Sequence, residues 1–135
     1  MLFVAALILM ANIGVAQGML ELKVTNYEEG NGKIIVDIYN SEDSFLKHPY
    51  KYFKLDPINK TLTYEIDNLP NGTYAIKIYQ DENNDRILNT GSFGSGELYG
   101  FSNNEDTDLK RVKFGDIKFE INSDQKSEQI ISLSK

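Results

Sequence analysis

The chain has 135 residues, 14 Lys plus Arg against 20 Asp plus Glu, a net charge of −6, one histidine and no cysteine. That length holds one ordinary hydrophobic core, and so acidic a surface argues against nucleic acid and anionic membrane as partners. The missing cysteine removes disulfides, thiolate zinc sites and a lipidated anchor, and the lone His48, beside Lys47 and Pro49 in an expected exposed turn, leaves no conventional catalytic triad.

Met1 to Leu20 carries no charged side chain, and the apolar stretch Leu2–Met10 is followed by a run of small, weakly polar residues. Gly14-Val15-Ala16 sets small residues at the two positions that a signal peptidase reads, which places cleavage before Gln17. Residues 1–16 are therefore expected to be a signal peptide and 17–135 the mature domain, destined for the periplasm, the outer surface or the medium. A membrane-spanning helix, for which the apolar part falls short of about 20 residues, and a buried core helix are the competing readings. The positive charge usual ahead of a signal core is missing.

From Leu20 onward the apolar residues recur at period two, the mark of half-buried strands. Leu20, Leu22 and Val24 alternate with Glu21, Lys23 and Thr25, and the turn Glu28–Gly32 leads into Lys33–Tyr39, which predicts a hairpin of two strands. Asn40–Lys60, interrupted by Pro49 and Pro57, predicts a loop and one short edge strand. Leu62, Tyr64 and Ile66 mark a further strand. After Asn68–Gly72 comes another, with Tyr74, Ile76 and Ile78 on one face and Ala75, Lys77 and Tyr79 on the other.

Asp81–Asp116 is rich in Gly, Asn, Asp and Ser and too long for a simple connection. Within it, Asp81-x-Asn83-x-Asp85-x-Ile87-x-Asn89 places side-chain oxygens at alternate positions and a backbone carbonyl at the seventh, a pattern suited to a hard cation, with calcium the natural candidate. Its spacing is similar to EF-hand and dockerin loops. Arg86 stands at their glycine position and Ser92 at their acidic twelfth, and Glu97 is a candidate to complete the shell. The competing reading gives Asp81, Asn83 and Asn84 only side-chain bonds that shape a turn.

Phe93, Tyr99 and Phe101, with Glu97 and Asn103, form a candidate aromatic surface for a sugar or peptide; the alternative is that the rings plug one end of the fold. Two strands are expected to close the domain, one holding Phe114, Ile117, Phe119 and Ile121 and the other Ile130, Ile131 and Leu133. The expected architecture is all-β, a single immunoglobulin-like or transthyretin-like sandwich of about seven strands.

Leu69–Ala75, Asp81–Thr90 and Gly100–Asn103 together resemble the DUF2141 family of exported bacterial proteins, and the resemblance extends from about Gly32 to Leu133. It implies a secreted or periplasmic β-sandwich. The family's aspartate loop often carries Gly where Arg86 stands and an acid where Asn89 stands. The resulting expectation is a monomeric, non-enzymatic module that binds a cell-envelope glycan or protein, with calcium at the 81–89 loop as its only cofactor. The alternatives are a purely structural accessory domain and, third, a hydrolase with a converging carboxylate pair.

Overall fold

A computed structural model describes residues 16–91 and 96–135. Eight strands run through them: β1 (Gln17–Thr25), β2 (Lys33–Tyr39), β3 (Lys51–Leu55), β4 (Thr61–Pro70), β5 (Gly72–Asp81), β6 (Tyr99–Phe101), β7 (Phe119–Ile121) and β8 (Lys126–Ser132). One helical turn, α1 (Phe114–Ile117), precedes β7. The strands make two sheets, β4-β1-β8 and β3-β2-β5-β6, with β7 paired to the start of β5. All pairs are antiparallel except β1 with β8. The residues read as a signal peptide, apart from Ala16, lie outside the described residues. Among those described, no helix is long and apolar enough to cross a membrane.

Alternation explains why the two sheets share a core. Leu20, Leu22 and Val24 of β1, Ile34, Val36 and Ile38 of β2, and Ile76 and Ile78 of β5 are all fully buried in one cluster with Ile131 and Leu133. Each contributes roughly 1.5–3 kcal/mol by leaving water. β2 and β5 are buried on their other face as well. There Tyr39 and Ala75 pack with Phe45 and Val112 from the connections, Phe101 of β6 and Ile117 of α1, and the Tyr39 and Phe45 rings meet edge to face at 5.2 Å. The edge strand expected within Asn40–Lys60 is β3.

Three expectations require correction. β1 and β2 do not form a hairpin: β1 pairs with β4 and β8, β2 with β3 and β5. Both strands present their apolar sets to the same core from opposite sheets, so the turn between them must cross from one sheet to the other. Buried Gln80 clamps that crossing, accepting from the Glu28 amide at 2.9 Å and donating to the carbonyls of Glu28 at 2.7 Å and Asn31 at 2.6 Å.

Second, Phe114–Ile117 is a helical turn rather than the start of a strand. Phe114 and Ile117 are three apart, a helical spacing, and the Asp116 carboxylate accepts from the Lys113 amide at 3.0 Å to cap the turn. Buried Ser102 ties this turn to the sheet: its Oγ accepts from the Ile76 amide at 2.9 Å and donates to the Ile117 carbonyl at 2.6 Å. Third, the strand count rises from about seven to eight because Tyr99–Phe101, read as loop, pairs with Lys77–Tyr79.

The parallel β1–β8 seam carries a cross-strand ion pair, Lys126 Nζ to Glu21 Oε2 at 2.8 Å. The hydrogen bond from Lys126 holds the Glu21 carboxyl below its ordinary 4.5. A depressed folded value stabilises the fold fully above 4.5, and the contribution is lost as pH falls through the folded value. We expect the Glu21 carboxyl carbon to titrate below 4.5 by NMR, and to return to the ordinary range in Lys126→Ala. High salt should weaken the shift, since both groups face solvent.

Candidate functional site

β5 ends in Asp81, which is 0% exposed, and the chain then turns sharply through Glu82–Asn89. Asn84 and Arg86 both take left-handed backbone, with φ of 57° and 59°, so Arg86 adopts the conformation that a glycine would supply at that place. The Asp81 carboxylate sets the turn by accepting from the amides of Asp85 at 3.2 Å and Arg86 at 2.8 Å. Asp85 accepts in turn from the Ile87 amide at 3.0 Å and from Asn83 Nδ2 at 3.0 Å. The Ile87 amide in particular holds the Asp85 carboxyl below its usual range.

Glu97, on the far side of the loop and 6% exposed, returns to this point. It accepts from the amides of Glu82 at 3.2 Å and Asn89 at 3.1 Å, while its own amide donates to the Asn89 carbonyl at 2.8 Å. One carboxylate oxygen from each of Asp81, Asp85 and Glu97 lies within 4.8 Å of the others. Asn89 Nδ2 sits among three oxygens at long range: Asp85 Oδ2 at 3.4 Å, Ile87 O at 3.3 Å and Glu97 Oε1 at 3.2 Å. A half-turn of that amide would instead direct its oxygen into the same cage. The Arg86 guanidinium faces elsewhere, stacked 3.8 Å from the centre of the Tyr52 ring, and among the described residues no ion pair involves the three acids.

The five residues read as an ion loop, Asp81, Asn83, Asp85, Ile87 and Asn89, thus share one turn, and Glu97 joins them. Four of the five read as a ligand surface lie within the described residues. Glu97 belongs to the loop, and Phe101 is 1% exposed inside the second core, its ring edge to face with Tyr99 at 5.7 Å. Asn103 binds Gln129 through its amide at 2.6 Å and the Lys118 carbonyl through Nδ2 at 3.0 Å. Phe93 lies outside the described residues. Phe101 is thus part of the second core, and Tyr99 is left half-buried.

A second constellation was missed in the sequence: Asp37 of β2 and Lys77 of β5, directly opposite in register, form a buried ion pair of 3.1 Å. Its signal was present. Each charge interrupts an otherwise apolar strand, Ile34–Tyr39 and Tyr74–Tyr79, where a lone charge needs a partner.

The family model described as "Uncharacterized protein conserved in bacteria (DUF2141)" matches residues 22–129, most of the chain. No curated protein and no solved structure matches it significantly.

Proposed function

This chain belongs to the DUF2141 family, and from that premise we propose that it is an exported, non-enzymatic binding or adhesion module of the bacterial cell envelope, built as an immunoglobulin-like sandwich and stiffened by calcium at the 81–89 loop. One observation carries the calcium reading. Three carboxylates converge within 4.8 Å, two of them on buried residues, with no cationic side chain paired to them among the described residues. Converging like charges repel, and a divalent cation turns the repulsion into attraction. An all-oxygen set of carboxylates and carbonyls suits calcium better than magnesium, which demands a tighter octahedron. Export is supported by the apolar Leu2–Met10 stretch and the small residues after it. A lone exposed histidine and the absence of cysteine weigh for binding rather than nucleophilic catalysis.

A second reading, a structural accessory domain, is favoured by a different observation: all three carboxylates already accept backbone amides. The thermal midpoint in calcium and in chelator separates the two. At about ten times a Kd of order 10⁻⁴–10⁻³ M, typical of extracellular sites, bound calcium adds about 1.4 kcal/mol and raises the midpoint by several degrees. The Asp81→Ala/Asp85→Ala variant should lose this rise, and Asn89→Asp should produce it at lower calcium. A midpoint that ignores millimolar calcium assigns the loop to the structural reading.

A further inference from the structure

On the face of β2 and β5 turned away from the shared core, the Asp37–Lys77 pair floors a cleft of about 410 Å³. Lys47 and Arg86 stand on its walls together with Leu46 and Leu109. Three cations thus meet one carboxylate in a protein whose net charge is −6. Tyr39 and Tyr79 also line the cleft. Burial, aided by the Asp37 carboxylate, pushes both phenols well above their ordinary range, so at neutral pH they are O–H groups able to donate. Among the lining residues Ile87 is 62% exposed, and outside the lining Tyr52, beneath the Arg86 guanidinium, is 51% exposed.

This inventory selects a ligand. Excess positive charge asks for an anion, and a guanidinium is matched to a carboxylate. Asp37 would repel a bare carboxylate but accepts from hydroxyls, and Lys77 donates to them, so the ligand must carry both an acid and hydroxyl groups. The leucines and tyrosines ask for a ring with an apolar face, and the volume admits about one such unit. A buried ion pair is poor value for stability alone, which leaves recognition as a reason for charge in two central strands. We propose that this cleft binds a hexuronic acid unit of an acidic polysaccharide, with the carboxylate received by Arg86 and Lys47 and the hydroxyls by Asp37 and Lys77. None of Asp81, Asp85 and Glu97 lines the cleft, but Arg86, Ile87 and Leu88 of the same loop do, so binding is measured both with and without calcium.

The test is an amide NMR titration of the purified chain with D-galacturonate, D-galactose and N-acetylglutamate, each in calcium and in chelator. Saturable shifts at Lys77, Ile87 and Leu109 are expected with galacturonate, and binding about tenfold or more weaker with galactose, as losing a charge-assisted contact implies. Arg86→Asn, which tolerates the left-handed backbone, and Lys47→Gln should each weaken galacturonate about tenfold. Both residues are exposed, so neither change threatens folding. Absence of saturable shifts in both buffers overturns the proposal, as does galactose binding equally well or an unchanged affinity in both variants. N-acetylglutamate binding as tightly as galacturonate overturns it in favour of an amino-acid carboxylate site. Galacturonate binding in chelator, with a thermal midpoint blind to calcium, would sustain the cleft and sink the calcium reading.

Discussion

Lys77→Met should lower the unfolding free energy by about 3–5 kcal/mol, the usual consequence of removing one partner from a buried ion pair. Lys77 Nζ lies 3.1 Å from Asp37 Oδ2, the two side chains being 13% and 9% exposed. Methionine keeps most of the stem volume but leaves the Asp37 carboxylate without its paired ammonium between Tyr39 and Tyr79, with only the more distant Lys47 and Arg86 of the cleft in its neighbourhood. The companion variant Asp37→Leu/Lys77→Met removes both charges and should return to within about 1 kcal/mol of the parent, because well-packed apolar replacements of buried pairs are often neutral. Urea unfolding measures both, at unchanged slope. A loss below about 1 kcal/mol in Lys77→Met would mean that water from the cleft screens the pair as it does a surface ion pair.

The second large effect lies at the sheet crossing. Gly30 and Gly32 both have positive φ, 72° and 63°, so alanine at either meets the left-handed penalty of about 1–2 kcal/mol. Only Gly32 is also crowded. A Cβ there would lie 2.1 Å from the Asp81 carbonyl oxygen and 2.7 Å from the Glu82 Cα, whereas at Gly30 nothing lies within 4 Å. The obstacle is backbone, which cannot swing aside as a side chain can, so overpacking adds about 1–3 kcal/mol. Gly32→Ala should therefore destabilise by about 2–5 kcal/mol and Gly30→Ala by about 1–2 kcal/mol. Calorimetry should show a drop of roughly 10 °C or more for the former. If calcium occupies the loop, Gly32→Ala should weaken it too, since the displaced atoms belong to Asp81 and Glu82. Equal midpoints for the two variants would refute the close approach.

Period-two alternation located β1, β2, β4 and β5 and the inward residues Tyr74, Ile76 and Ile78, because burial of one strand face is a local pattern. It could not identify partners. Gly30-Asn31-Gly32 has hairpin chemistry, yet what joins β2 to β5 is a match of Ile34, Val36 and Ile38 to Gln80, Ile78 and Ile76, residues some forty positions away. The second core was equally hidden: Phe45 and Val112 stand in polar stretches, Phe101 and Ile117 carry no sign of which strands they cover, and only the surplus of apolar side chains on both faces of β2 hinted that something must cover them. At the candidate site, the spacing of acids and amides from Asp81 to Asn89 was legible as a turn with oxygen ligands. That Arg86 would assume glycine's backbone and turn its charge onto Tyr52 was not, because the ring comes from β3.

The parallel seam between β1 and β8 governs when this protein can finish folding. β1 is central in its sheet, yet its flanking strands are β4 and β8, and β8 is the last strand in the chain. A chain that emerges from a ribosome or translocon with β1 first must hold that strand, with its exposed leucines, unpaired on both edges until β4 arrives and on one edge until nearly all the rest has appeared. Such distant closure is slow, and an apolar strand with open edges is prone to mispairing while it waits. The polar alternates Glu21, Lys23 and Thr25 on its other face give it some solubility in the interval. The fold is thus one in which half the architecture, the β2–β5 sheet, can assemble early, whereas the other half is completed in a single late step.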